Sequence, residues 1–338
     1  MTFSLLSQMI GQKPFRARDA RKLGGSLRSR SSASMGARRG ASVAAVFYSG
    51  VIVFTMLREK LDAPVLTPQQ IREADRYRVS IVIPALQEEA ALERTLSYLK
   101  LLRPAPFEIV VADGGSNDRT VDIAAQRGAR VVLSKRRGRS RQMNAGAKEA
   151  RGDVFLFLHA DTLPPLDVVR CVRTALRDPG VVMGGFTPLL TTSEPSKTWW
   201  GMSIHNLVSS WLYPLVLRPF AYSGGLRLLF GDQAIFCRKR DFWKVRGFDE
   251  RWPIMEDADL CMRMHESGPA VQPPGARAAR QGKIRVLSRV VDSSGRRFAK
   301  WGNAKATWIQ YRLALSWYVR RDPAALQELY DRLYSDVR

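Results

Sequence analysis

Cysteine is scarce in this 338-residue sequence: Cys171, Cys237 and Cys261 are the only three, and none forms a CxxC pair. A small, odd count argues against a disulfide framework and fits a reducing compartment or simple burial. Cys261 and His265 share a helical face at i, i+4, but without two further ligands nearby they read as core residues rather than a zinc site. Glycine signatures of nucleotide binding are missing as well. No GxGxxG follows a strand and no GxxxxGK[ST] occurs, so dinucleotide and P-loop readings lose support. Acid is in short supply, 31 Asp and Glu against 54 Lys and Arg, for a net charge of +23. That imbalance points to an anionic partner, whether nucleic acid, nucleotide phosphates or an anionic membrane.

The shortage of acid is sharpest at the start. Residues 1–42 hold nine Lys and Arg and a single acid, Asp19, in a Ser-, Ala- and Gly-rich context. An Arg-rich, acid-poor leader fits an organellar targeting segment better than a folded module, with a disordered basic arm for RNA or lipid as the alternative. Ala41 to Leu57 then runs for seventeen residues without a charge. Its length is at the bottom of the spanning range, so residues 43–60 read as a membrane anchor, a cleaved hydrophobic segment or a packed helix, in that order. Residues 61–77, with two prolines and many charges, read as a linker or short surface helix.

From Val79 the pattern alternates. VSIVIP (79–84), FEIVVAD (107–113), ARVVLS (129–134) and VFLFLHAD (154–161) read as apolar strands. Helices are expected over Glu88 to Leu102, from the Ser116 to Arg119 cap toward Gly128, and from about Met143 to Arg151, after a basic loop KRRGRSRQ. This order argues for right-handed βαβ units and a mostly parallel, Rossmann-like α/β sheet flanked by helices, spanning 78–322 with a tail from 323 to 338. Strand ends in such a sheet share one edge, where ligands bind. Pro84 to Glu88, Asp113, the Arg-rich loop and Asp161 are what the strands deliver there. Asp113 suits a base or ribose, Asp161 a hard cation such as Mn2+ or Mg2+, and Arg139 or Arg141 a phosphate.

The ordered motifs SIVIPALQEE, VVADGGSNDRT, GRSRQMNAGA, GDVFLFLHADT, GDQAIFCRK and GFDERWPIMEDADL together resemble the family 2 glycosyltransferases of GT-A fold. The resemblance runs from about Val79 to Asp322, with a nucleotide-sugar half at 78–190 and an acceptor half at 191–322. RGRSRQMNAG, HADT, GDQAIF and SGRR are similar in particular to a bacterial and cyanobacterial subfamily associated with arsenosugar biosynthesis. The resemblance implies transfer of a sugar, with inversion, from a nucleotide diphosphate donor to an acceptor hydroxyl on a small or lipid-linked molecule. It also implies Asp113 at the nucleoside, Asp161 at the metal, Asp257 as general base and Glu256 as its support. Gly231, Asp232 and Gln233 would wall the pocket, and Arg296 and Arg297 would close over the diphosphate. His159 stands where the family's metal motif starts with an acid and Gln87 where many relatives carry Asn, so contacts to ribose and base depart from the pattern. Gly268 to Lys283 reads as an inserted surface loop.

The aromatic segments 197–230 and 301–318 fit either a lipid interface or the back of the catalytic domain. A nucleotidyltransferase on a similar sheet, and a non-enzymatic organellar protein binding RNA or membrane, are the rival readings. Nucleic acid is the less favoured partner. Plastid targeting is preferred over mitochondrial by analogy with the cyanobacterial resemblance.

Overall fold

A computed structural model describes residues 67–193, 196–271 and 281–334. The leader, the hydrophobic segment up to residue 60, most of the 268–283 insertion and the last four residues lie outside the described residues.

The first described element is a helix, α1 (Pro68–Asp75), capped by Thr67 and Gln70 in a reciprocal capping box. It ties to the domain through Asp75, which accepts from Arg177 at 2.7 Å. The linker of the sequence reading is therefore a docked surface helix where it is described. Then come β1 (Val79–Ala85), α2 (Glu89–Leu99), β2 (Glu108–Asp113), α3 (Thr120–Gln126), β3 (Arg130–Leu133), α4 (Arg139–Glu149), β4 (Val154–Phe157) and α5 (Val168–Ala175). The alternation read from the sequence is thus present, and β3, β2, β1 and β4 pair in parallel in that order. β1 and β4 are buried on both faces, as their unbroken apolar runs require.

Beyond β4 the sheet turns antiparallel. A long strand β5 (Val181–Ser193), a short β6 (Ser196–Thr198), β7 (Ile235–Arg238) and β8 (Lys283–Ser294) complete eight strands among the described residues. β7 runs antiparallel to β4, with Phe157 opposite Ile235. The residues that enter β7 consequently arrive at the same sheet edge as those that leave β4. β8 lies parallel to β5 and also pins the turn after β4: Leu163 and Asp292 exchange backbone hydrogen bonds of 2.7 and 2.9 Å. The sheet is parallel from β3 through β4 and mixed beyond.

Helices α6 (Trp200–Leu217), α7 (Pro219–Ser223), α8 (Lys239–Lys244), α9 (Glu256–Ser267), α10 (Arg296–Arg320) and α11 (Pro323–Leu333) fill the second half. α10 breaks at Gly302, whose φ is +72°. No described helix is long and apolar enough to cross a membrane. The segment read as a tail carries α11, and Tyr334 beyond it meets Trp301 edge-on at 4.8 Å between ring centroids. Cys237 and Cys261 are buried and unbridged; Cys261 Sγ accepts from the Leu229 amide, and His265 Nδ1 sits 2.7 Å from the Gly282 carbonyl oxygen. The core reading of that pair holds.

Candidate active site at the sheet edge

α4 organises the site. Gly138, at φ +135°, turns the chain so that the helix starts immediately at Arg139. This corrects the sequence expectation of a basic loop reaching Gln142 with a helix from Met143. The loop stops at Gly138 because Ser140, Gln142 and Met143 are already buried against the sheet. The packing is close: a Cβ on Gly146 would meet Val82 Cγ1 at 2.6 Å. Three polar residues of the helix then reach three different parts of the site. Gln142 Nε2 donates to the carbonyls of Ala85 and Ala112, clamping the ends of β1 and β2. Asn144 holds the loop before α9, accepting from the Phe248 amide at 3.0 Å and donating to its carbonyl at 2.8 Å. Arg139 Nε donates to Glu256 Oε1 at 2.5 Å.

The phosphate role read for Arg139 therefore meets a competing partner. Burial pulls its pKa down, but the charges of Glu256 and Asp257 outweigh that and leave it raised. Arg141 is turned toward Arg137 and Glu250, donating to the Arg137 carbonyl at 3.0 Å.

At the ends of β1 and β2 the edge is a laced pair of loops. Asp113 is 1% exposed, and its carboxylate accepts from the amides of Gly115 and Ser116 and from the Ser116 hydroxyl. That carboxylate shapes the GGSND turn from within. The turn in turn holds the loop after Pro84, the half-buried β1 residue: the Gln87 amide donates to Ser116 Oγ, Gln87 Nε2 to Asn117 Oδ1, and the Glu88 amide to Thr120 Oγ1. Gln87, at φ +57°, adopts a left-handed backbone at this crossing.

β4 ends at Phe157, and the chain continues through His159 into the turn bearing Asp161. Thr162, fully buried, fixes that turn by a 2.9 Å hydroxyl contact with Ser293. Directly across, Gly231, Asp232 and Gln233 form a 3-10 turn leading into β7. A Cβ on Gly231 would collide with His159 Nε2 and lie 3.1 Å from Asp257 Oδ2, so glycine leaves room for both side chains beside it. Asp232 accepts from Asn206 of α6. Gln233 is a brace behind the wall, not part of it. It is buried, with Oε1 accepting from the Phe230 amide and Nε2 donating to the Phe186 carbonyl.

Glu256 and Asp257 open α9, after Met255 in a left-handed conformation. Both are buried, at 1% and 5% exposure. Burial, then Glu256 and Asp232, push the Asp257 carboxyl up to about 8, while Arg139 and the Gly231 amide pull it back. Glu256 Oε2 is buried without a hydrogen-bond partner. Asp259, the third acid of the motif, is structural: it accepts from Arg263 Nε at 2.7 Å, and Arg263 holds the carbonyls of Val245 and Gly247. Arg296 and Arg297 begin α10; their side chains lie outside the described part of the structure. A contributor missed by sequence reasoning is Tyr330 of α11, close enough to Arg139 to act on it electrostatically. Nothing in a helix after the last motif signals that approach.

Among the described residues, no group of three or more His, Cys, Asp or Glu stands ready to hold a metal. Mg2+ in phosphate chemistry takes one or two carboxylates and completes its shell with phosphate oxygens and water. A single rim carboxylate at Asp161 fits a cation that arrives with a diphosphate.

The glycosyl transferase family 2 model matches residues 80–241. An undecaprenyl-phosphate 4-deoxy-4-formamido-L-arabinose transferase of Pectobacterium atrosepticum is 34% identical over 120 residues, 32% of this chain and 36% of that protein. The validoxylamine A glucosyltransferase of Streptomyces hygroscopicus subsp. limoneus is 29% identical over 227 residues, 56% and 48% of the two chains. A solved mannosyltransferase from Pyrobaculum calidifontis, in complex with GDP-Man and Mn2+, superposes with a TM-score of 0.55 at 18% identity, covering 87% of this chain and 79% of that one. The fold is GT-A, a mixed α/β sheet of the kind that structure shares. Residues 80–241, just under half of the chain, form a glycosyl transferase family 2 region. It spans about a third of the length of the first of those curated relatives.

Proposed function

We propose that this protein transfers a sugar from a nucleotide diphosphate donor to an acceptor hydroxyl, with inversion and with a divalent cation at Asp161. The observation that carries the reading is that Asp257 and His159 both lie against Gly231, on the same sheet edge that bears Asp161. An inverting transfer needs a proton acceptor on the face opposite the leaving group and charge compensation for the departing diphosphate. Asp257 takes the proton of the acceptor hydroxyl. Its raised affinity for a proton matches that task near neutral pH. Glu256, held by Arg139, offers the unpaired Oε2 to the same acceptor. The loops laced by Asp113, Gln87 and Glu88 receive the nucleoside, and Gly231 and Asp232 wall the sugar. Mn2+ or Mg2+, when bound, offsets charge on the diphosphate.

The relatives divide over the acceptor by their names, undecaprenyl phosphate in one and validoxylamine A in the other. Neither name carries the arsenosugar association, which rests on sequence motifs. A thermal-shift screen of the full chain against UDP, GDP, ADP and CDP, each with and without Mn2+, tests the donor side. Binding to the native state alone raises Tm, so one diphosphate should stabilise in a Mn2+-dependent way; stabilisation by none of them counts against the proposal.

A further inference from the structure

α10 carries two apolar stripes where a surface helix needs one. Ala306, Ile309, Leu313 and Trp317 are buried against the domain, at the spacing of three and four that one helix face dictates. On the opposite side Trp308, Tyr311, Leu315 and Val319 recur at the same spacing and are 45–67% exposed. This second stripe is continuous with another element. Tyr318 Oη donates to the Leu217 carbonyl at 3.1 Å, which brings the end of α6 alongside. There Val216, Leu217 and Phe220 are exposed as well, Phe220 at 89%.

Positive charge outweighs negative around this surface: Arg312, Arg320 and Arg332 line one groove with Leu315 and Val319, and Glu328 is the acid among them. Residues 196–231 contain no Asp or Glu, nor do residues 293–321. Lys305, Arg312, Arg320 and Arg321 are exposed along the same helix and just past its end. Arg312 lies 5.2 Å over the Trp308 ring of the exposed stripe, whereas Arg321 turns to the domain side, over the buried Trp317 and against Met262 Sδ. An apolar centre of Val, Leu and Phe, an edge of Trp and Tyr and a rim of guanidinium groups follow the layering of an acyl, interfacial and anionic headgroup boundary. Basic side chains that outnumber the neighbouring acids are drawn to anionic lipid within a Debye length.

We propose that the face formed by α10, the end of α6 and α7 rests on an anionic lipid surface. The apolar stripe enters the acyl boundary while Arg312 and Arg320 lie among headgroup phosphates. The proposal is independent of the sugar-transfer reading, because lipid contact needs neither donor nor acceptor.

The test places the full chain on phosphatidylglycerol/phosphatidylcholine vesicles with brominated acyl chains and compares wild type with Trp308→Phe. Reading the quenching lost with one tryptophan separates this face from lipid contact made by residues 41–57. The expected result is bromolipid quenching of wild-type emission, a clear share of which disappears in Trp308→Phe. A Phe220→Asp/Val319→Asp double variant, altered only at exposed positions, should lose that same share while keeping the wild-type circular dichroism spectrum. The proposal is overturned if wild type and Trp308→Phe quench equally, as they would with a second copy or another protein segment over the face. Equal Trp308 quenching on pure phosphatidylcholine would overturn it too, by removing the role of the arginines.

Discussion

Arg139, in the first turn of α4, donates to the buried carboxylate of Glu256 across 117 residues of sequence. The pair joins the nucleotide-side half of the sheet edge to the helix that carries Asp257. Since Arg139 also pulls the Asp257 carboxyl down, one guanidinium supports both acids at the start of α9.

Replacing Arg139 by Gln leaves Glu256 buried without its cation, a loss of about 3 kcal/mol for a broken buried pair. It also removes the group that favours ionised Asp257. Sugar transfer should fall, and the rising limb of the pH–rate profile should move to higher pH. Lys at this position should restore part of both, because it keeps the charge but not the geometry of the guanidinium. A pH profile unchanged in Arg139→Gln would show that the pair is structural only.

Asp257 makes a second prediction through linkage. Its proton is held more tightly in the folded chain, with a pKa of about 8, than in the unfolded chain. Its stabilising contribution is present below the unfolded value and is lost as pH rises through the folded one. The Asp257→Asn variant does not titrate there. The Tm of the variant should therefore gain on wild type as pH climbs from the ordinary carboxylate range to about 8, then level off. A constant Tm difference across that window would contradict the raised pKa.

Gly231→Ala places a methyl group against His159 and Asp257. Overpacking of this kind costs about 1–3 kcal/mol. Transfer should drop more than stability does, because the clash displaces His159 and crowds Asp257, the proposed base. Full activity in the alanine variant would mean that the wall lies elsewhere.

Gln142→Ala should unclamp the ends of β1 and β2 by removing the donor shared by the Ala85 and Ala112 carbonyls, while Ala85 keeps its bond from the Gly114 amide. The expected loss is about 1 kcal/mol per hydrogen bond removed. Hydrogen exchange should rise locally at residues 85–88 and 112–116. Protection equal to wild type there would contradict the clamp.

The strand ends were legible because unbroken apolar runs stop abruptly at residues with chemistry, as VFLFLHAD does at His159 and Asp161. α9 was legible through its acids after GFDERWP. The start of α4 was not, since an Arg-rich run reads as solvated until Gly138 turns it into a helix. Nor could spacing show that Arg139 would pair with a carboxylate 117 residues along the chain. Gln233 matched a pocket motif but spends its amide on Phe186 and Phe230, a choice made by burial. Tyr330 lies beyond every motif and reaches the site only through tertiary packing.

The central claim is that Asp161 and Asp257 serve one sugar-nucleotide reaction. Release of nucleoside diphosphate from a panel of nucleotide sugars with Mn2+, by the full chain and by Asp161→Ala and Asp257→Asn, tests it most directly. Wild type should turn over one donor class, Asp161→Ala should lose that release together with its Mn2+ dependence, and Asp257→Asn should bind the diphosphate normally without transferring the sugar. Release at wild-type rates by both variants would contradict the account.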